Sequence, residues 1–349
     1  MTTRLKIWTV TNGMAGFEVQ VGGVADALKQ ALTADMAQDI EADIEHKQVA
    51  PSGLQKLLAP YGSPVLTGDM RAANINSLPD ILIASGRQSI PYALKIKRLS
   101  KGKCFTVILQ NPRRNPALFD FVWAPTHDGL QGENTLSTLL SPHGLTAAKI
   151  SEKAEKIRPD ISHLPTPRLA VILGGPNKVY PFKNNDIEQL AQSLELLADA
   201  GYGLLVCGSR RTPEVLLARL KKLPPESCKI WPAPGTPENG TSKNSDNANP
   251  YPGLLGLADR IMVTSDSVNM VGEACVTGLP VDVFPLTGGS AKFNRFHRAL
   301  QDAGLTRAFS LTDGQLPEAG PHPPINSTNT RNSTHEIVAA IRQRLKISL

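Results

Sequence analysis

The stretch from Ala258 to Pro285 does most to narrow what this chain can fold into. An apolar run ending at Val263 meets a polar turn, Thr264-Ser265-Asp266-Ser267. An apolar helical stretch carrying Glu273 follows, then a Gly278-Leu279-Pro280 break and a second apolar run, Val281–Phe284. Strand, turn, helix and strand in that order make a parallel βαβ unit, because parallel neighbours need a crossover and a helix supplies it. Where the strand's C-terminal end meets the helix N-terminus, free backbone N–H groups and the helix dipole favour an anion. Ser265, Ser267 and those N–H groups are placed to hold a diphosphate, and Glu273 to accept from a pair of ribose or sugar hydroxyls. The alternative is a surface helix with Ser265 or Asp266 as its N-cap.

The same order of elements recurs along the chain. Lys6–Thr11 is an apolar strand that runs into the turn Asn12–Glu18 and a helix to about Ala34, with Val21, Val24, Ala25, Leu28 and Leu32 on one face. Strands are expected at Asp43–Val49, Asp80–Ala84, Phe105–Gln110 and Phe119–Ala124, with a helix at Ile90–Arg98. Glu152–Arg168, rich in charge and proline, reads as an interdomain link. The pattern then restarts with strands at Leu169–Leu173, Gly203–Cys207 and Lys229–Trp231. Helices are expected at Asn185–Ala200 and at Thr212–Leu220, the second with Thr212 as N-cap and Pro213 at its first position. Pro232–Tyr251, dense in Gly, Pro, Asn and Ser, reads as a mobile loop, and His335–Leu345 as a last amphipathic helix. The expected fold is α/β: two Rossmann-like doubly wound domains facing across a cleft. Their expected bounds are 1–155 and 168–312, with a loop and C-terminal helix over 313–349.

Ligands of such sheets bind outside the carboxyl ends of the strands, and the polar turns lie there. In the second half these are Gly174-Gly175 with Lys178, then Ser209-Arg210-Arg211, then the Thr264–Glu273 stretch. The double glycine allows close backbone approach, and arginine forks match phosphate geometry. The bland readings are a tight turn and solvated charge. In the first half, Asn12, Gly13, Gly16 and Gln20, joined by Gly86 and Arg87, shape an acceptor side; the glycine spacing is not that of a dinucleotide fingerprint. Glu18 is a candidate base, or only a partner of the helix dipole. His127 and Asp128 follow a strand and are candidates for proton transfer, acting separately because adjacent residues cannot easily orient each other. Lys292 could face the cleft, with Phe293 and Phe296 in the core and His297 structural.

Composition removes several function classes. Aromatic residues are 5%, too few for an aromatic platform that stacks RNA bases, and no DNA-reading signature is present. The net charge of +6 is spread along the chain, which suits an anionic substrate or an anionic membrane surface. Lys95–Lys103 places five positive charges in nine residues, either a membrane contact or a solvated helix end. The four cysteines form no CxxC and no His pair has metal spacing, so buried reduced thiols and no metal site are expected. No segment reaches eighteen uncharged apolar residues and no leader is visible, so a cytoplasmic protein is expected, with a peripheral place at the inner membrane face as the further option.

These residues also carry a family resemblance. Trp8–Gln20, Ser85-Gly86-Arg87 with Pro91-Tyr92-Ala93, and Pro125-Thr126-His127-Asp128 match one half of the pattern. Gly174-Gly175, Ser209–Pro213, Asn249-Pro250-Tyr251, Thr264–Ser267 and Lys292-Phe293 match the other. Over residues 5–310 the chain resembles the mitochondrial-fission "elongated mitochondria" family of plants and its bacterial relatives. The resemblance implies a fold of the GT-B type, with a nucleotide-sugar donor on the C-terminal domain, Tyr251 on the donor side and the acceptor on the N-terminal domain. It also implies a glycosyltransferase without a bound metal or other cofactor. A nucleotide-sugar epimerase, or a non-catalytic adaptor recruited to a membrane, are the alternatives. Asn12 stands where the family usually has Asp, and the loop at 232–251 is longer than usual.

Overall fold

The computed structural model describes residues 2–34, 40–66, 70, 78–231, 249–318 and 333–348. The chain divides into two compact units, Met1–Gly144 with Thr330–Leu349, and Leu145–Asn329.

The first unit contains β1 (Thr3–Thr11), α1 (Ala15–Thr33), β2 (Ile40–Gln48), α2 (Gly53–Leu58), β3 (Ile81–Ser85), α3 (Ile90–Leu99), β4 (Phe105–Leu109), β5 (Phe121–Pro125) and β6 (Thr135–Thr138). The second contains α4 (Ala147–Ile157), β7 (Arg168–Leu173), α5 (Asn184–Asp199), β8 (Gly203–Gly208), α6 (Glu214–Leu220), β9 (Cys228–Trp231), α7 (Tyr251–Leu257), β10 (Arg260–Thr264), α8 (Val268–Cys275), β11 (Val281–Phe284), α9 (Ala291–Asp302) and β12 (Arg307–Ala308). The last helix, α10 (Ser333–Ser348), returns to the first unit.

Each unit holds six parallel strands, ordered β2-β1-β3-β4-β5-β6 and β12-β11-β10-β7-β8-β9. Both are doubly wound α/β domains of the Rossmann-like class, as expected. Alternation along β1 explains the cover on its two faces. Leu5 and Ile7 pack with Val21, Val24 and Leu28 of α1, whereas Trp8 and Val10 pack with Ile90, Ala93 and Ile96 of α3. In the second unit Leu169, Val171 and Leu173 of β7 meet Ile187, Leu190 and Leu194 of α5. Strands covered on both sides need apolar residues at consecutive positions, which is why these runs stood out in the sequence.

The structure differs from several expectations, and one falls largely outside the described residues. Glu152–Arg168 is not a bare link: its first residues belong to α4, which packs against α7 within the second unit. The close approach depends on two α7 glycines, since a Cβ at Gly253 would lie 2.6 Å from the Lys153 carbonyl and one at Gly256 2.8 Å from an Ile150 methyl. The division therefore falls at Gly144 rather than near 155, and α10 is part of the first unit rather than a tail, with Ile337, Ile341 and Leu345 in the α1 core. Of the supposed loop 232–251, residues 232–248 lie outside the described residues, while Asn249 opens α7 by accepting from the Tyr251 amide at 3.1 Å. Helix α6 begins at Glu214 with Pro213 as its N-cap, because the Thr212 hydroxyl is committed to the turn before it.

Candidate functional site

In the second sheet β7 and β10 are neighbours, and the order runs outward from them in opposite directions, β8 and β9 on one side and β11 and β12 on the other. Loops leaving such a switch point diverge and open a crevice at the carboxyl ends. Three sequence-identified turns meet there, and their hydrogen bonds show what each residue does.

The Thr264 hydroxyl accepts from the Gly174 amide at 2.8 Å and donates to Asp266 Oδ1 at 2.7 Å. The other carboxylate oxygen of Asp266 accepts from the Gly175 amide at 3.0 Å. The double glycine is thus shaped for the protein's own carboxylate. A Cβ on Gly174 would lie 2.2 Å from Asp266 oxygens, and one on Gly175 would lie 2.1 Å from the Arg211 carbonyl. Burial pushes the Asp266 pKa up, while Thr264, the Gly175 amide and Arg211 pull the other way. Arg211 reaches within 3.9 Å of Asp266 and donates to the Pro176 carbonyl at 2.9 Å, with half of its side chain exposed. Ser265 also has internal partners: its hydroxyl accepts from the Leu286 amide at 3.0 Å, and its carbonyl accepts from His297 Nε2 at 2.9 Å. Ser267 is the N-cap of α8, accepting from Met270 at 3.4 Å.

The expected division of labour changes accordingly. Ser265 and Asp266 tie the loop together rather than present free donors, and the Gly175 N–H is already engaged. Ser209 closes its own turn, its amide donating to the Thr212 hydroxyl at 2.8 Å. Lys178 and Arg210 stand exposed at this edge. Phe293 stacks edge-on against Tyr180 at 5.2 Å, Phe296 is buried, and His297 is structural, as expected; burial lowers its pKa.

Beside this turn lies a cavity of about 160 Å³, walled by Ile172, Leu173 and Met270 and bearing Ser209, Tyr251 and Glu273. Burial pushes Glu273 up to about 7, only partly offset by the Tyr251 hydroxyl beside it. That hydroxyl is buried, with its own pKa raised first by burial and then by Glu273, and it makes no hydrogen bond of normal geometry. A buried carboxyl and an unsatisfied hydroxyl in an apolar cavity at a switch point can receive the hydroxyls of a ligand.

The first unit offers a second switch point, between β1 and β3. Gln20 is buried and accepts from the Ser85 hydroxyl at 3.1 Å. Gly86, at φ +90°, leaves room for the Phe17 ring, to which a Cβ would come within 2.7 Å, and Gly13, at φ +78°, is covered by the Gln48 side chain. Asn12 donates to Gln88 at 3.3 Å, and its carbonyl oxygen is buried without a partner. Arg87 is exposed and donates to the Lys56 carbonyl at 2.9 Å, and Gly16 is the second residue of α1. Glu18 is exposed on the first turn of α1. His127 and Asp128 follow β5, 3.9 Å apart, too far for a hydrogen bond between them. Part of the basic run is internally bound: Lys95 donates to Pro64 at 2.6 Å and Lys97 pairs with Asp120 at 2.8 Å. Among the described residues no group of three His, Cys, Asp or Glu gathers at metal-binding distance, and no helix is long and apolar enough to cross a membrane. Cys104 and Cys207 are buried thiols pushed up to about 12 by burial.

Residues 15–345 match the family model described as mitochondrial fission ELM1. The mitochondrial fission protein ELM1 of Arabidopsis thaliana is 28% identical over 72% of this chain, and the match spans 61% of that protein's own length. Among solved structures, UDP-GlcNAc 2-epimerase from Methanocaldococcus jannaschii superposes with a TM-score of 0.51 at 13% identity, covering 97% of this chain and 92% of its own. The Neisseria meningitidis UDP-GlcNAc 2-epimerase, bound to UDP-GlcNAc, gives 0.51 at 11% identity, covering 99% and 100%. Likeness at such identity establishes the fold, two Rossmann-like domains of the GT-B type.

Proposed function

The chain belongs to the mitochondrial fission ELM1 family, and from that premise we propose that its second unit binds a nucleotide-diphospho-sugar and that the protein transfers the sugar to an acceptor held by the first unit. The observation that carries the proposal is the cavity at the ends of β7 and β8, where buried Glu273 and the unsatisfied Tyr251 hydroxyl await hydroxyl partners. Arg210, Lys178 and the free half of Arg211 are the cations available to a diphosphate leaving group, and the N-terminal turn of α8 adds its dipole. No cofactor or metal is required in this scheme. The exposed Arg98, Lys101 and Lys103 at the end of α3 are the candidate contact with an anionic membrane surface carrying the acceptor.

A second reading, epimerisation of the same nucleotide-sugar, is favoured by Asp266. With Glu273 it puts two carboxyl groups at one end of one sheet, and elimination with re-addition needs such a pair. Thermal denaturation with UDP, GDP, ADP, CDP and TDP and their sugars tests the binding step. A ligand at 100 times its Kd adds about 2.7 kcal/mol to stability. The expected result is a rise in Tm with one nucleotide that is abolished in Arg210→Ala and Glu273→Gln. Product analysis then separates transfer to a lipid extract from inversion at a sugar carbon. Absence of a shift with every nucleotide overturns both readings and leaves a non-catalytic adaptor.

A further inference from the structure

A pocket of about 300 Å³ lies entirely within the first unit, between β1, β2 and the start of α1. It arises from a change of residue type along two paired strands. On the face toward α1, Leu5 and Ile7 stand opposite Ala42 and Ile44 and belong to the core. Further along the same face the register pairs Thr9 with His46 and Thr11 with Gln48. The apolar seam becomes hydroxyl, imidazole and amide just where α1 offers Val21 and Glu18. Val21 belongs to the core, but the hydroxyl, imidazole and amide groups beside it do not, and nothing in the nucleotide reading uses them.

We propose that this pocket binds a neutral, hydroxyl-rich ring of the monosaccharide class. Four observations select that chemistry. The volume is at the low end of small-molecule sites, which run from roughly 300 to 1,000 Å³, so one ring is accommodated rather than a nucleotide. Threonine and glutamine each offer both a donor and an acceptor, matching hydroxyls that do the same, and histidine adds a ring nitrogen. Val21, itself in the core, forms the apolar floor of the pocket. The charge balance disfavours an anion: Glu18 is on the rim, while the Lys47 ammonium is paired with Glu45 at 2.8 Å and sits over the Trp8 ring at 4.9 Å.

His46 is the orienting centre of the site. Its Nδ1 is hydrogen-bonded to the Thr9 hydroxyl at 2.7 Å, which fixes the ring and leaves Nε2 to meet a ligand hydroxyl. Thr9 is almost fully buried, so this anchor is preorganised. Gln48 folds over Gly13, where a Cβ would come within 2.0 Å of the amide nitrogen, and closes the side of the pocket.

The test is saturation-transfer NMR on the full chain with glucose, galactose, mannose, N-acetylglucosamine and glycerol, and no nucleotide present. At least one ring sugar is expected to give transfer, glycerol none, and the imidazole Nε2 resonance of His46 to shift on titration. His46→Ala and Gln48→Ala should each weaken binding roughly three- to tenfold, the loss of one good hydrogen bond. Thr9→Val, which keeps the shape, should weaken binding while leaving the protein folded, and Glu273→Gln should leave it unchanged. No transfer from any ring sugar, binding unaltered by the His46 and Gln48 variants, or stronger binding of sugar phosphates than of neutral sugars would overturn the proposal. The His46 and Gln48 variants, read against Glu273→Gln, separate binding in this pocket from binding of a sugar at the donor site.

Discussion

Glu273 gives the sharpest physical test of the second unit. Its carboxyl is buried, and its pKa rises from 4.5 to about 7 in the folded chain. An acid whose folded pKa is raised holds its proton more tightly when folded. The associated stability is therefore fully present below about pH 4.5 and is lost as pH climbs toward 7, after which the loss is constant. Each pKa unit is about 1.4 kcal/mol, so the full gap is on the order of 3 kcal/mol, of which about 2.5 kcal/mol develops between pH 5 and pH 8. Glu273→Gln keeps the shape and removes the titration. Urea unfolding read by hydrogen exchange in β7 and β10 should show the wild type losing about 2.5 kcal/mol relative to the variant over that range. A difference that stays flat from pH 5 to pH 8 would show that the carboxyl is solvated and the reasoning is wrong. A nucleotide whose ribose hydroxyls donate to Glu273 should also release a proton near pH 7 on binding, readable by calorimetry in buffers of different ionisation enthalpy.

Three further perturbations follow from the same geometry. Tyr251→Phe removes a buried hydroxyl with no good partner, so stability should stay within about 1 kcal/mol of wild type or rise, while nucleotide binding weakens; a large loss of stability would mean the hydroxyl is satisfied. Gly174→Ala forces a methyl against the Asp266 carboxylate, and its cost should fall in an Asp266→Ala background, a coupling measurable in a double-mutant cycle of urea midpoints. Asp282→Ala should cost about 3 to 5 kcal/mol, because it strands Arg260, which donates two bonds to that carboxylate, and Arg307, which donates one at 2.7 Å. Loss of the ordered Pro317 contact, to which Arg260 also donates at 2.7 Å, should accompany it in hydrogen exchange.

The alternation of strand and helix was legible because every central strand is covered on both faces and so reads as a solid apolar run. Two short edge strands without that cover were not. β6, Thr135-Leu-Ser-Thr, is an edge strand with three of its four residues not buried, and β12 has two residues. α4 is charged on its outer face, which made it look like a link; the signal that it packs was the Gly253 and Gly256 spacing in a neighbouring helix. At the site, the sequence placed Thr264, Ser265, Asp266, Gly174, Gly175, Tyr251 and Glu273 within one unit's strand ends, and the structure gathers them there. What it did not reveal was Asp266 filling the glycine turn, because a carboxylate and a phosphate satisfy the same N–H groups and leave the same glycines behind. His46 was missed for a different reason. It lies in a strand with charged neighbours, and only the pairing register with Thr9 exposes its role.

The return of α10 makes the second unit an insertion within the first. Its Ile337, Ile341 and Leu345 complete a core whose other residues, such as Leu5, Ile7 and Val24, lie near the opposite terminus. During synthesis the earlier part of this unit must therefore wait, its hydrophobic layer uncovered, until α10 leaves the ribosome, whereas the inserted half can reach its finished state beforehand. Chaperone dependence and damage from late frameshifts should accordingly fall on the portion of the polypeptide that is made first.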